Sequence, residues 1–218
     1  SGASALSPEL VHFFRGAGIP IVEGYGLTET TAPATVNIPG AHRVGTVGLP
    51  VAGVTVKIAE DGEILIRGPV VFDGYHGMPK ASAEAMEDDF FRTGDIGRVD
   101  ADGYIFVEDR LKDMIITGGE NVYSIEVERV LAEHPAVAEV AVIGVPDEKW
   151  GEAVKAVVSL EGEASESDLI SFARERLAGY KCPKRIDFVE SLPRTATGKI
   201  QKFVLRAPFW DALERKVN

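Results

Sequence analysis

Residues 110–121 read Arg110-Leu111-Lys112-Asp113-Met114-Ile115-Ile116-Thr117-Gly118-Gly119-Glu120-Asn121. They place a charged cluster, an apolar run and a pair of glycines in twelve consecutive positions. The apolar run from Met114 to Ile116 is long enough for a buried strand but too short for a helix, and the paired glycines free the backbone directly after it. The pattern predicts a charged joint, then a strand, then a loop that can lie against a ligand.

The composition is that of a globular protein. The 218 residues are 45% hydrophobic and 26% charged, which suits two modest domains. The 34 acidic and 23 basic residues give a net charge of −11, which argues against nucleic acid or an anionic membrane surface as the main partner. The single cysteine, Cys182, excludes an intrachain disulfide, and no apolar run is long enough for a transmembrane segment. We therefore expect a reducing compartment, namely the cytoplasm.

The basic residues are concentrated near the C-terminal end. Between Tyr180 and Arg206 only Asp187 and Glu190 oppose seven basic residues, which are Lys181, Lys184, Arg185, Arg194, Lys199, Lys202 and Arg206. This basic segment has two interpretations, a local site for an anionic ligand or a solvated charged surface.

The first part of the chain is predicted to be α/β. Ser7-Pro8-Glu9 is typical of a helix start, because a hydroxyl cap precedes a proline and an acid in the first turn. Ile19 to Val22 are interpreted as a buried strand that breaks at Gly24-Tyr25-Gly26. A strand that ends in a glycine turn and leads into polar residues is a common ligand-binding position in an α/β sheet.

From Val44 onward, short β-rich pieces predict a small β-barrel-like subdomain. Turns at Glu60-Asp61-Gly62 and at Asp100-Ala101-Asp102-Gly103 predict two hairpins, Val54–Ile58 with Glu63–Ile66 and Val99 with Tyr104–Val107. A helix is predicted at Lys80–Glu87, and Arg92-Thr93-Gly94-Asp95 is predicted to lie in a loop.

The part that follows Arg110 is predicted to be a compact α+β domain, since strand and helix patterns alternate irregularly. The predicted elements are a helix marked by Ile125 to Leu131, strands at Val140–Val145 and Glu152–Leu160, a helix capped by Ser165-x-x-Asp168, and a strand at Ile186–Val189.

A candidate nucleotide-binding motif lies at Tyr25-Gly26-Leu27-Thr28-Glu29. A ring beside a glycine can lie against a base, a hydroxyl can bind a phosphate oxygen, and a carboxylate can bind Mg²⁺. Taken alone, these five residues fit a structural turn at least as well.

Two further positions have chemistry that suits a nucleotide. Asp95 offers a carboxylate that can accept hydrogen bonds from two ribose hydroxyls, although an ordinary loop turn also explains it. Lys199, in Thr197-Gly198-Lys199, offers an ammonium that can neutralise charge on a reacting carboxylate and phosphate, and the alternative is a surface lysine. The four histidines have no metal-ligand spacing.

Residues 110–121, the Tyr25–Glu29 motif and Pro193-Arg194-Thr195-Ala196-Thr197-Gly198-Lys199 together resemble the adenylate-forming superfamily, and within it the acyl-CoA synthetases. The resemblance implies that a carboxylate and ATP give acyl-adenylate and pyrophosphate, after which CoA gives thioester and AMP. ATP, Mg²⁺ and CoA are the implied cofactors.

The resemblance covers nearly the whole chain but only the rear part of the family's usual chain. It implies that 1–109 is the rear of the large domain, that 110–218 is the mobile C-terminal domain, and that the N-terminal half of the enzyme is missing. A glycine- and hydroxyl-rich loop for the β- and γ-phosphates is absent from the sequence, which agrees with this expectation.

The resemblance also implies roles for residues of the adenosine site. Tyr25 stacks on adenine beside Gly26, Thr28 contacts the α-phosphate and Glu29 binds the metal. The other implied roles are adenine contacts from the backbone of Gly2 and Ala3, ribose binding by Asp95 with Arg110, and catalysis of adenylation by Lys199. The segment Asp88-Asp89-Phe90-Phe91 departs from the family pattern, since it lacks the usual glycine and tryptophan.

The remaining implied roles concern domain rotation and CoA. Lys112 is the hinge, Gly118 and Gly119 leave room for the pantetheine arm, and Trp150 lines its tunnel, with a core tryptophan as the alternative. Tyr180 and Lys184 contact the adenine and 3′-phosphate of CoA, while Cys182 occupies a position where some relatives have arginine.

Residues 118–121 and the Trp150 segment favour CoA ligases over peptide-synthetase modules. We expect a fatty acid as the substrate, with aryl or other acids as alternatives. A non-catalytic fragment that binds an adenine nucleotide or serves in assembly is the second hypothesis.

Overall fold

The computed structural model describes Leu6 and residues 8–31, 33–196 and 198–211. The chain divides into two compact units, Ser1–Leu111 and Lys112–Asn218, so the division falls inside the charged joint of residues 110–121. Within the described ranges, none of the helices combines the length and the apolar character that crossing a membrane requires.

In its described residues the first unit has two sheets and two α-helices. Its elements are α1 (Pro8–Gly16), β1 (Gly24–Tyr25), β2 (Thr35–Val36), β3 (Leu49–Pro50), β4 (Thr55–Ile58), β5 (Glu63–Arg67), α2 (Pro79–Glu84), β6 (Met86–Glu87), β7 (Phe90–Val99) and β8 (Ile105–Arg110). Strands β1, β2 and β3 form an antiparallel sheet in that order. The second sheet has the order β4-β5-β7-β6, with β8 also paired to β7, and all its pairs are antiparallel.

The core of the first unit is centred on β5. Ile64 and Ile66 are fully buried and pack in one cluster with Ala34 and Ile105, and the Tyr25 side chain packs against that cluster. The β-rich subdomain is an open sheet across the described residues rather than a closed barrel.

Both predicted hairpins are confirmed, since β4 pairs with β5 and β7 pairs with β8. Two other predictions are wrong. Residues 19–22 form no strand, because Pro20 lacks a backbone donor and no described strand pairs alongside them. Residues Arg92–Asp95 lie inside β7 rather than in a loop.

The described part of the second unit is a five-stranded sheet with three α-helices. After a 3-10 turn at Leu111–Asp113, its elements are β9 (Ile115–Thr117), β10 (Glu120–Val122), α3 (Ser124–Ala132), β11 (Val137–Asp147), β12 (Gly151–Leu160), α4 (Glu166–Arg174), β13 (Arg185–Phe188) and α5 (Lys202–Trp210). The strand order is β10-β9-β12-β11, and β13 pairs with β12 in parallel.

The long hairpin β11–β12 is covered on both faces. Val140 and Val142 of β11 belong to the cluster that contains residues of α3 and α4. Ala141 and Ile143 belong to a second cluster, against which residues of α5 pack. Successive side chains of a strand point to opposite faces, so an uninterrupted apolar run is the pattern expected of a strand buried on both sides.

Local signals in this unit predicted the observed elements well. Ser165 caps α4: its hydroxyl accepts from Asp168 N at 3.2 Å and its amide donates to Asp168 Oδ2 at 3.0 Å. Cys182 is buried, and its burial raises the pKa of the thiol, so the residue acts as a core side chain. Helix α5 was not predicted.

Candidate functional site

The structure brings together Tyr25, Asp95 and Arg110, which are far apart in sequence. The Tyr25 hydroxyl donates to Asp95 Oδ2 at 2.6 Å. Arg110 Nε lies 3.9 Å from Asp95 Oδ1, because Asp95 and Arg110 are direct partners in the β7–β8 register. These three residues, all expected to hold adenosine, therefore form one cluster on the first unit.

The electrostatics of this cluster keep the tyrosine neutral. Burial, followed by the charge of Asp95 and the hydrogen bond to Asp95, raises the pKa of Tyr25 well above its ordinary value. The Asp95 side chain is only 15% exposed, whereas the Arg110 side chain is 52% exposed. A shielded carboxylate beside an accessible guanidinium can accept hydrogen bonds from vicinal hydroxyls and still attract an anion.

A bulge in β7 presents Asp95. Leu65 of β5 pairs with Arg92 and Glu63 pairs with Ile96, so three residues of β7 stand opposite Ile64 alone. Those three residues are Thr93, Gly94 and Asp95, and Gly94 has a φ of +71°. A bulge bends a strand and redirects its side chains, and bulges are common beside active sites.

Thr28 and Glu29 lie in a short 3-10 turn that follows Tyr25 and Gly26. Leu27 N donates to Thr30 Oγ1 at 2.8 Å and closes this turn. Thr28 is exposed, and Glu29 Oε1 accepts from the Tyr75 hydroxyl at 2.9 Å. Burial, together with the hydrogen bond and charge of Glu29, raises the pKa of Tyr75.

Glu29 suits a metal ion that is shared with a phosphate. The described part of the chain has no group of three or more His, Cys, Asp or Glu side chains that could hold a metal. Mg²⁺ retains several waters and is often bound by one or two carboxylates together with substrate phosphates. A single, partly exposed Glu29 fits such an ion and does not fit a metal held by protein ligands alone.

The segment that contains Lys199 is a tight, braced turn. Thr195 N donates to Lys199 O at 2.8 Å, and Lys199 N donates to Thr195 Oγ1 at 3.1 Å. The Arg194 guanidinium donates to both Gly198 O and the Glu139 carboxylate, which attaches the turn to β11. Lys199 is exposed, and its ammonium has no ion pair within the described residues.

Gly118, Trp150 and Lys184 form a second cluster, on the second unit. Gly118 N donates to Trp150 O at 2.8 Å, and a Cβ on Gly118 would lie 2.7 Å from Trp150 Cε3. Two ammonium groups lie near the Trp150 ring. Lys184 Nζ is 5.1 Å from the ring centroid, and Lys149 Nζ is 4.5 Å from the same centroid. Trp150 is 41% exposed, so the alternative of a core tryptophan is wrong.

The turn before Trp150 carries an acidic residue. Asp147 Oδ1 accepts from the amides of Trp150 and Lys149, and these bonds, with Lys184 nearby, lower the pKa of Asp147. Asp147 Oδ2 lies 3.5 Å from Lys184 Nζ. Tyr180 is exposed, with Lys181 Nζ 5.9 Å from its ring centroid.

Most of the basic segment is neutralised within the second unit. Five of its seven cations make ion pairs, which are Lys181 with Glu126, Lys184 with Asp147, Arg194 with Glu139, Lys202 with Glu128 and Arg206 with Asp113. Arg206 also donates to Lys112 O, so helix α5 holds the residue expected to be the hinge. The remaining two cations are Arg185 and Lys199, and of these Lys199 belongs to a predicted site.

Four further residues bear on the predicted site: two that were predicted to contact adenine and two that were not predicted. Gly2 and Ala3 lie outside the described residues. Sequence reasoning missed Tyr75, which has no local signal, and Glu63, a buried acid in β5. Glu63 did carry a signal, since it is a charged residue directly before the apolar run Ile64-Leu65-Ile66.

Comparison with known proteins identifies the family. The AMP-binding enzyme family model matches residues 1–76, and the AMP-binding enzyme C-terminal domain model matches residues 126–199. The chain belongs to the superfamily of adenylate-forming AMP-binding enzymes.

Named relatives of the chain are CoA ligases. Feruloyl-CoA synthase of Amycolatopsis sp is 44% identical, over 95% of this chain and 45% of that protein. Long-chain-fatty-acid–CoA ligase FadD13 of Mycobacterium tuberculosis is 40% identical, over 96% of this chain and 44% of that protein. The solved o-succinylbenzoate CoA synthetase of Bacillus subtilis, in complex with its acyl-adenylate intermediate, is 36% identical with a TM-score of 0.85, covering 91% and 43% of the two chains. The chain thus spans under half the length of these relatives.

The contact between Gly118 and Trp150 can be tested with a matched pair of variants. Gly118 and Gly119 have φ of +61° and +87°, but only Gly118 faces Trp150. Alanine at either position should cost about 1–2 kcal/mol of folding free energy through backbone strain. Gly118→Ala should also displace the indole and change its fluorescence, measured in a Trp210→Phe background, whereas Gly119→Ala should not. Equal spectra for the two variants would contradict the packing described.

The Tyr25–Asp95 hydrogen bond should have a pH signature. At pH 7, Tyr25→Phe should lower the free energy of unfolding by about 1–3 kcal/mol, since a bond to a charged group is lost. The folded-state pKa of Tyr25 is raised, so its stabilisation is complete below the ordinary pKa of 10.0 and declines above it, by about 1.4 kcal/mol per pH unit. Urea unfolding of both proteins should show their difference shrinking above pH 10. A difference independent of pH would contradict this assignment.

Proposed function

We propose that this chain is the AMP-binding and C-terminal portion of an ATP-dependent acid–CoA ligase. Residues 1–109 would be the rear of the large adenylating domain, and 110–218 the mobile C-terminal domain. The carboxylate oxygen attacks the α-phosphorus of ATP and expels pyrophosphate, and the CoA thiol then attacks the acyl carbon, loses its proton and expels AMP. The observation that carries the proposal is the Tyr25–Asp95–Arg110 cluster.

The cluster suits the adenosine part of a nucleotide. Asp95 is the acceptor for the two ribose hydroxyls, and Arg110 assists it. The Tyr25 ring, held neutral and oriented by its bond to Asp95, offers a flat surface to the base. Gly26, next to the ring, has no side chain to obstruct that approach, and the backbone of Gly2 and Ala3 is proposed to contact the same base.

The turn after Tyr25 suits the phosphates. Thr28 offers an exposed hydroxyl to the α-phosphate, and Glu29 would hold Mg²⁺. The ion, when bound, would neutralise charge on the leaving pyrophosphate. Tyr75 orients the Glu29 carboxylate through its hydrogen bond.

Lys199 is the proposed catalytic residue of adenylation. Its turn is braced by Thr195 and Arg194, while its ammonium remains without an ion pair in the described chain. A positioned but uncompensated cation can stabilise the charge that develops on the carboxylate and the α-phosphate. Lys112 is proposed as the hinge that delivers this turn and withdraws it.

The Gly118–Trp150–Lys184 cluster is the proposed CoA surface. Gly119 leaves its part of the β9–β10 turn open, whereas the ring of the partly exposed Trp150 lies against Gly118. Lys184 would meet the 3′-phosphate and Tyr180 the adenine of CoA. Because Asp147 already pairs with Lys184, the attraction for that phosphate should be modest.

The acid substrate is proposed to be a fatty acid, as for the relative named a long-chain-fatty-acid–CoA ligase. An aryl acid is the second candidate. The observation in its favour is that the chain is 44% identical to a feruloyl-CoA synthase and 40% identical to the fatty-acid ligase. Pyrophosphate release by the full-length product of the gene, measured with a fatty acid and with a hydroxycinnamic acid, separates the two. The chain alone is assayed in parallel; nucleotide binding without release by either preparation would favour a non-catalytic role.

Lys199→Ala should separate the two half-reactions of the full-length product. Pyrophosphate release should fall by roughly a hundredfold or more, because one preorganised charge donor is removed from the adenylation transition state. Thioester formation from supplied acyl-adenylate should remain near the wild-type rate. Lys202→Ala, which removes a nearby lysine that is paired with Glu128, is the control. Equal losses in both half-reactions would count against the assignment.

Lys184 and Lys149 offer a matched test of the CoA surface. Both ammonium groups lie near the Trp150 ring, but only Lys184 is proposed to meet the 3′-phosphate. The wild-type chain should bind CoA more tightly than dephospho-CoA, with a preference of a fewfold that shrinks as salt is raised. Calorimetric titration should find this preference lost in Lys184→Ala and retained in Lys149→Ala. Loss in neither variant would place the 3′-phosphate elsewhere.

A further inference from the structure

Glu63 is a buried carboxylate that no role assigned so far uses. The residue is 1% exposed and stands at the first position of β5. Its Oε2 accepts from Arg92 Nε at 2.9 Å and from Arg92 Nη2 at 2.6 Å. Its Oε1 accepts from Gly94 N at 2.7 Å. One carboxylate oxygen is therefore bound by a side-chain cation and the other by a backbone amide.

These bonds hold the bulge of β7 from both sides. Arg92 is the last paired residue before the bulge, and Gly94 is its central residue. A second bond set comes from Thr93, whose hydroxyl donates to Ile64 O at 2.7 Å and accepts from Asp95 N at 3.1 Å. Gly94 directly precedes Asp95, so Glu63 holds the Thr93–Gly94 peptide beside the residue that carries the proposed ribose carboxylate, and Thr93 holds the Gly94–Asp95 peptide.

A carboxylate is the only common side chain that satisfies this arrangement. Both oxygens must accept, because Arg92 and the Gly94 amide are donors. Glutamine would present its amide nitrogen to one of them, leaving two donors facing each other. Burying a charge is unfavourable unless it is paired and hydrogen-bonded, and Glu63 meets both conditions only through residues that flank or form the bulge.

We propose that Glu63 is a positioning residue of the nucleotide site, which acts through Gly94 to direct the Asp95 carboxylate at the ribose hydroxyls. Glu63 does not itself touch the nucleotide in this proposal. The inference rests on the proposed adenosine role of Asp95. It adds that recognition of the ribose hydroxyls depends on the negative charge and the side-chain length of Glu63, which lies on the neighbouring strand. Its specific consequence is a loss of hydroxyl recognition with recognition of the base retained.

The test compares two nucleotides with three proteins. AMP and 2′,3′-dideoxy-AMP are titrated calorimetrically into the full-length product of the gene, as wild type, Glu63→Gln and Glu87→Gln. Glu87 is the matched control, because its carboxylate also pairs with Arg92, at 3.4 Å, but has no bond to Gly94. Both ligands carry the same base and phosphate, so their affinity ratio reports the hydroxyls alone.

The wild type should prefer AMP by roughly tenfold or more, as expected when a site built to bind hydroxyls meets a ligand without them. Glu63→Gln should reduce that ratio to about threefold or less, with little change for dideoxy-AMP, and Glu87→Gln should keep the wild-type ratio. Uniform weakening for both nucleotides would indicate a merely structural role and overturn the inference. Retention of the full ratio in Glu63→Gln would overturn it as well.

Two further measurements keep the outcomes distinct. If Glu63→Gln does not fold, judged by its thermal transition, Glu63→Asp takes its place, since it retains the charge and shortens the reach by one methylene. That variant should also lose part of the ratio, and a full wild-type ratio would overturn the inference. A wild-type protein that binds AMP and dideoxy-AMP equally would overturn the proposed role of Asp95 itself, and the inference with it.

Discussion

The hydrogen bond between the Tyr25 hydroxyl and Asp95 joins the two sheets of the first unit at the position where a ligand is proposed to bind. Tyr25 ends a strand of the small sheet, and Asp95 projects from the bulge of the larger one. The bond survives only while the phenol is protonated, and the burial that favours the neutral form is supplied by the core cluster around Ile64. Core packing and site geometry in this unit therefore depend on each other.

The bulge in β7 is the second half of that arrangement. In a regular strand, side chains alternate between the two faces, and the position of Arg92 would fix the face on which Asp95 lies. Here three residues of β7 stand opposite Ile64, and this bulge changes the direction of the Asp95 carboxylate. The bulge needs acceptors for the Gly94 and Asp95 amides, and Glu63 and Thr93 supply them. In the proposal made above, the buried acid at the start of β5 serves the site rather than the core.

In the second unit, two exposed turns, those of Gly118 and Lys199, are held on a rigid hairpin. The β11–β12 hairpin is packed on both faces, so it supplies the rigidity. The Lys199 turn is attached to β11 through Arg194 and Glu139, and the Gly118 turn is attached to Trp150, directly before β12. Ion pairs neutralise most of the basic segment between Tyr180 and Arg206, which leaves Lys199 as the proposed site residue of that segment whose cation has no ion pair within the described chain.

The sequence by itself determined the elements that depend on near neighbours. The hairpins, the Ser165 cap and the long strands of the second unit follow from turn residues, capping residues and apolar runs, all of which act within a few positions. The family motifs pointed to Tyr25, Asp95 and Lys199 as isolated residues. Tertiary structure alone decided the long-range contacts: Asp95 lies 70 positions from Tyr25, and Gly118 and Lys184, which lie against Trp150, are 32 and 34 positions from it. Such contacts depend on strand register and on one bulge, and a shift of a single residue in either would send the same side chains to the opposite face.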